Sequence, residues 1–164
     1  MPEQQVGSDD IPRLLEIRRA AFAAHAPSAY SPAEVETLLG DVDPAELAEL
    51  IGAGRLFVTR RAGEIVGLAG WQGDNLRHVY VDPAHTRRGI ASGLLAVVEA
   101  DFHTRTGKGR IFAGVALHAR AFYLANGYSV VERATAWDGS GYLRMVKELP
   151  GRPRPAASGG LVRE

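Results

Sequence analysis

The residues whose types and spacing best suit chemistry lie in one stretch, Val79 to Leu95, reading VYVDPAHTRRGIASGLL. An apolar, β-branched run ends at Asp82-Pro83, a polar turn follows, and a long amphipathic stretch begins within it. The N–H groups at the start of a helix lack internal partners and, with the helix dipole, form a site for a phosphate. The small residues Gly89, Ala91, Ser92 and Gly93 let a pyrophosphate approach the backbone closely. Thr86 and Ile90 complete the turn, and Arg87 and Arg88 add positive charge beside it. The plainer reading makes the arginines solvated loop charges and the glycines turn residues. The strand–turn–helix context favours the phosphate site. The spacing matches neither the dinucleotide fingerprint G-x-G-x-x-G nor the Walker pattern G-x-x-x-x-G-K-S/T.

Positioning that turn requires a strand before it and a helix after it. The strand is expected over Leu76 to Val81 and the helix over about Gly89 to Thr106. The helix should bury Ile90, Leu94, Val97, Val98 and Phe102 and leave Glu99, Asp101, His103 and Arg105 for water. Upstream, a helix is expected from about Asp10 to Ala24, with Ser8 or Asp9 as its cap and Pro12 in its first turn. Ser31-Pro32-Ala33-Glu34 is a capping box that starts a second helix. Asp43-Pro44-Ala45-Glu46 repeats the signal for a short third helix ending near Gly52. Leu56 to Thr59 and Glu64 to Trp71 read as a hairpin about Ala62-Gly63. Downstream, Ile111 to Leu117 is a short apolar strand suited to burial on both faces. Ala119 to Ala125 is a helix closed by Asn126-Gly127. Tyr128 to Arg133 and Tyr142 to Lys147 are the last antiparallel pair. The result is a mixed α/β domain with one parallel, right-handed strand–helix–strand crossover. It should occupy residues 1–149, with residues 150–164, rich in Pro, Gly and small side chains, as a flexible tail.

Bulk properties narrow the function. Hydrophobic residues make up 46% and charged residues 23%, as in soluble globular domains. The 19 basic and 19 acidic side chains balance, which argues against nucleic acid as a partner. No apolar run reaches the length of a membrane span, and the polar, acidic start does not read as a signal peptide, so a cytoplasmic protein is expected. With no cysteine, thiolate nucleophiles and cysteine metal sites are excluded. The histidines show no metal-ligand spacing, so no metal is expected.

Thr86-Arg87-Arg88-Gly89-Ile90-Ala91 resembles the coenzyme A-binding motif of the GNAT (Gcn5-related N-acetyltransferase) superfamily, Q/R-x-x-G-x-G/A, with Thr86 in place of the usual Gln or Arg. The stretch Ala116 to Tyr128 is similar to a second family pattern, N-A-x-x-F-Y-x-x-x-G-F/Y. Ala119, Phe122, Tyr123, Gly127 and Tyr128 match it, and His118 replaces Asn. The resemblance extends to about Leu149. It implies a GNAT fold: a central, mostly antiparallel sheet, a splayed strand pair and helices on both faces. It implies acetyl-coenzyme A as acyl donor, with its pyrophosphate at Thr86 to Gly93, its pantetheine arm along the backbone of Val79, Tyr80 and Val81, and a contact from His118.

The activity it implies is direct transfer of an acetyl group to an amine. Tyr123 is then the candidate general acid for the departing thiolate; its plainer reading is packing beside Phe122. Many relatives carry a Glu near the start of the splayed strand, a position that falls around Asn75. Asp74, acting through a water, and His78, with a suitable intrinsic pKa, are therefore candidate bases. Each is alternatively an exposed or structurally paired polar residue. Side chains alternate along a strand, so only one of His78 and Val79 should face the site. Phe22, His25, Tyr30, Trp71 and Trp137 are candidate acceptor contacts. The acceptor amine stays open, as does a homodimer through the final strands. The alternative is a coenzyme-binding module that has lost turnover, on the strength of the Thr86 and His118 departures.

Overall fold

Leu56 and Val58 pack with Leu14, Ile17, Leu47 and Leu50, whereas Phe57 between them packs with Ile90, Leu94, Val98 and Phe102. A strand buried on both sides needs helices over both sheet faces, and this chain supplies them. The computed structural model describes residues 2–3, 5–39, 42–86, 89–136 and 139–150. In chain order these form β1 (Pro2–Glu3), α1 (Ile11–His25), α2 (Pro32–Leu39), α3 (Pro44–Gly52), β2 (Leu56–Arg61), β3 (Glu64–Gln72) and β4 (Asn75–Val81). Then follow α4 (Ile90–Thr106), β5 (Arg110–Ala116), α5 (Arg120–Ala125), β6 (Ser129–Thr135) and β7 (Gly141–Glu148). The sheet order is β1-β2-β3-β4-β5-β7-β6. Every neighbouring pair is antiparallel except β4 and β5, which are parallel across the α4 crossover. Helices α1 and α3 cover one face, and α4 covers the other. Among the described residues no helix is long and apolar enough to cross a membrane.

The capping signals at Ser31 and Asp43 act as expected. Ser31 Oγ accepts from the Glu34 N–H while the Ser31 N–H donates to Glu34 Oε1, and Asp43 Oδ1 accepts from the Ala45 N–H. Several expectations need correction. Neither Ser8 nor Asp9 caps α1: Ser8–Asp10 forms a 3-10 turn, and Asp10 Oδ2 accepts from the Gly7 N–H instead. Glu99 does not face water. Its side chain is 11% exposed, accepts from the Tyr128 hydroxyl at 2.7 Å and pairs with Lys147 at 2.9 Å. The buried stripe of α4 includes Leu95, while Val97 is only partly buried. Strand β5 is not buried on both faces: Ile111, Ala113 and Val115 point into the core, but Gly114 is exposed and Arg144 lies over Phe112. Strand β1, paired with Thr59 and Val58, was not apparent from pattern.

Two features of β4 shape the site. The parallel pairing with β5 is limited to Asn75 and Phe112, supported by the Phe112 N–H donating to the Asp74 carbonyl at 2.8 Å. Beyond that point the two strands part. The antiparallel pairing with β3 also slips: Leu68 faces Tyr80 and Gly70 faces Arg77, so Ala69 opposes both His78 and Val79. This is a β-bulge, a device that re-aims side chains next to functional sites. His78 adopts φ +58°, a conformation uncommon outside glycine and costing on the order of 1–3 kcal/mol.

Candidate active site

The gap between the parted strands is a cavity of about 640 Å³. One wall is the strand–turn–helix. Gly89, at φ +74°, turns the chain into α4, and a Cβ there would meet nothing within 4 Å. The N–H groups of Ile90, Ala91 and Ser92 occupy the first turn, where no intrahelical acceptor exists. All four residues line the cavity, as do Thr86, Val79, Tyr80 and Val81. Gly93 does not: its N–H donates to the Gly89 carbonyl at 3.0 Å, so it is already inside the helix ladder. Arg87 and Arg88 lie outside the described residues. The turn itself is braced from below. Asp82 accepts from the Ala84 N–H at 3.0 Å and from Arg13 at 2.8 Å, and the Arg13 Nε–H donates to the Ile65 carbonyl. The Ala84 amide, then Arg13, holds the Asp82 carboxyl below its usual range. Gly67 of β3 lets α4 approach closely, since a Cβ there would lie 3.0 Å from Ile90 Cγ2.

The opposite wall is built by α5 and β5. Tyr123 is 8% exposed and lines the cavity. Phe122 and Tyr128 hold its ring edge-on at 5.1 and 5.4 Å, and its hydroxyl has no hydrogen-bond partner among the described residues. Burial, then the neighbouring Tyr80, pushes its pKa up, so the phenol stays neutral and able to donate. Phe22 and His25 of α1 reach the same space, as does His118. The His118 ring packs against Phe22 at 5.3 Å, Tyr30 at 6.1 Å and His25 at 6.4 Å. Its Nδ1 is buried without a partner among the described residues, and burial, then His25, lowers its pKa.

His78 and Val79 both line the cavity, contrary to strict alternation, because the bulge sets both of them opposite the single residue Ala69. The His78 side chain is 5% exposed, and its Nε2 lies 2.7 Å from Glu46 Oε2 on α3. Arg77 donates to the same carboxylate oxygen. Glu46 was legible only as part of a helix start; nothing in its neighbourhood in the sequence signals a partner 32 residues away. His85, a further cavity residue that pattern did not single out, has a buried Nδ1 without a partner among the described residues.

Three expected contacts are corrected. Asp74 is not in the cavity: it sits at the closed end of the β4–β5 pair, where Lys108 holds it at 2.6 Å. Tyr30 is buried with its hydroxyl donating to the Gly141 carbonyl and accepting from the Leu117 N–H, which ties the turn after β5 to the start of β7. Trp71 is in the core between α4 and the sheet, with its Nε1–H donating to Asp101 and Arg55 over its ring at 4.8 Å. Trp137 lies outside the described residues.

No curated protein sequence matches this chain. Solved structures share its fold. A GCN5-related N-acetyltransferase from Rhodopseudomonas palustris superposes with a TM-score of 0.79 at 22% identity, over 91% of this chain and 94% of that one. The PaiA N-acetyltransferase of Thermoplasma acidophilum, in complex with coenzyme A, gives 0.69 at 16% identity over 90% and 98%. An aminoglycoside 6'-N-acetyltransferase complexed with coenzyme A gives 0.60 at 18% identity over 87% and 94%. The profile of the acetyltransferase (GNAT) domain matches residues 26–149, which span the parted strands, the α4 turn and Tyr123. A match over that much of the chain makes it a member of the GNAT family, an N-acetyltransferase.

Proposed function

We propose that the protein transfers the acetyl group of acetyl-coenzyme A directly to a primary amine held in the cavity between β4 and β5. The observation that carries this reading is the pairing, across one cavity, of helix-start amides with a neutral phenol, both without a partner among the described residues. The amides of Ile90, Ala91 and Ser92 and the open space over Gly89 fit a pyrophosphate. The backbone of Val79 to Val81, freed from β5 by the splay, fits the pantetheine arm. Bound acetyl-coenzyme A supplies the acetyl group and a thiolate leaving group. His78 takes one proton from the attacking amine as its nitrogen bonds to the carbonyl carbon. Tyr123 gives its phenolic proton to the sulfur as the carbon–sulfur bond breaks. Solvent returns the proton from His78 to Tyr123, which restores both groups. Phe22, His25 and His118 form the acceptor wall. His118, packed on α1 residues, is better placed there than along the cofactor arm.

The same reading takes residues 1–149 as the catalytic domain and 150–164 as a tail, and places the enzyme in the cytoplasm. It leaves room for a dimer through the exposed side of β6, where Val130 and Val131 are uncovered. The test is calorimetry of acetyl-coenzyme A binding to the native chain and to Gly89→Trp. A side chain at φ +74° costs about 1–2 kcal/mol, and a Cβ there meets open space, so the variant should fold. Native binding that the variant loses supports the site, and a screen of primary amines follows. Equal binding by both proteins would refute the pyrophosphate position.

A further inference from the structure

Glu46 is acidic, partly buried and remote in sequence, and it faces the one imidazole that sits in a strained bulge on the cavity wall. We infer that Glu46 is a positioning residue for His78, holding its ring in the tautomer that presents an unprotonated Nδ1 to the acceptor amine. The inference rests on the reading of His78 as the proton acceptor. An ionised carboxylate only accepts hydrogen bonds, so at 2.7 Å from Glu46 Oε2 the His78 Nε2 must carry the hydrogen. In the neutral ring the lone pair is then on Nδ1, which bonds to no described residue, on a side chain that lines the cavity. Arg77 donates to the same oxygen.

The groups facing His78 come from three elements: Glu46 from α3, Arg77 beside it on β4 and Arg18 from α1. Burial acts most strongly and lowers the His78 pKa, Glu46 opposes it, and the two arginines add to the lowering. His78 is therefore neutral at physiological pH and competent to accept a proton. Activity should be lost as pH falls through that depressed pKa. Removing the Glu46 charge destabilises the imidazolium further, so the acid limb must move to lower pH. The bulge fits the same reading: at φ +58° His78 both contacts Glu46 and lines the cavity.

The experiment has two parts. Ring nitrogen chemical shifts of labelled protein report the His78 tautomer without turnover or ligand. The native chain should show protonated Nε2 and bare Nδ1, and Glu46→Gln, whose amide can donate or accept, should show a mixture. Steady-state rates across pH then compare the native chain, Glu46→Gln and His78→Asn. Glu46→Gln should lower kcat about tenfold to a hundredfold, move the acid limb down and leave the KM for acetyl-coenzyme A unchanged. A native His78 protonated on Nδ1, or a Glu46→Gln variant with unmoved limb and tautomer, overturns the role of Glu46. Full activity in His78→Asn sinks the base assignment itself. An inactive His78→Asn beside an unaltered Glu46→Gln removes only Glu46.

Discussion

Replacing Tyr123 with Phe removes one oxygen and keeps the ring. The ring is almost fully buried and held edge-on by Phe122 and Tyr128, so its packing survives the change. The hydroxyl bonds to no described residue, so no protein hydrogen bond is lost. Because the ring packing is kept and no bond to a described residue is broken, the variant should match the native chain in stability. Its effect should fall on the chemistry. A positioned general acid contributes about 10²–10⁴ in rate, or roughly 3–5 kcal/mol of barrier. The assay is release of free thiol from acetyl-coenzyme A with an acceptor amine, together with calorimetric binding and a thermal melt. The expected pattern is kcat down by at least about a hundredfold, with acetyl-coenzyme A affinity and Tm unchanged. A variant with native kcat refutes the general-acid role, and one that loses rate only through lost cofactor affinity makes Tyr123 a binding residue.

Three further outcomes follow from the same geometry. Gly93→Ala should stabilise the chain by about 0.5–1 kcal/mol, because a Cβ there meets nothing and the residue is within α4; acetyl-coenzyme A affinity should stay unchanged, since its N–H already bonds to Gly89. Asp82→Ala removes a turn cap and the Arg13 contact and should cost about 1 kcal/mol in urea melts at pH 7. The Asp82 pKa is depressed in the fold, so its contribution is complete above the unfolded value and disappears as pH falls through the folded one; the gap between native and variant should close in acid. Glu99→Ala strands Lys147 and the Tyr128 hydroxyl in a largely buried site and should cost about 3 kcal/mol by denaturant melts.

What could be read from the chain was what is local. The α4 turn is legible because its amides, its small residues and its strand stop are consecutive. The starts of α2 and α3 are legible for the same reason: a cap and the N–H that donates to it lie within four residues. The bulge at His78 was not, because it arises from pairing with Ala69 across the sheet, and no residue in β4 announces it. Glu46 was hidden likewise, since its partner is set by how α3 lies over β4. Asp74 and Trp71 were misplaced because position along a strand does not say which end of the cleft, or which sheet face, a side chain meets. Glu99 looked solvent-facing on helical spacing alone, until β7 delivered Lys147 against it.

A crystal structure of the protein with coenzyme A would test the central claim most directly. The account predicts the pyrophosphate on the amides of Ile90 to Ser92, and the sulfur between β4 and β5 within about 3–3.5 Å of the Tyr123 hydroxyl. A sulfur lying outside the reach of Tyr123, or a pyrophosphate bound away from the start of α4, would contradict it.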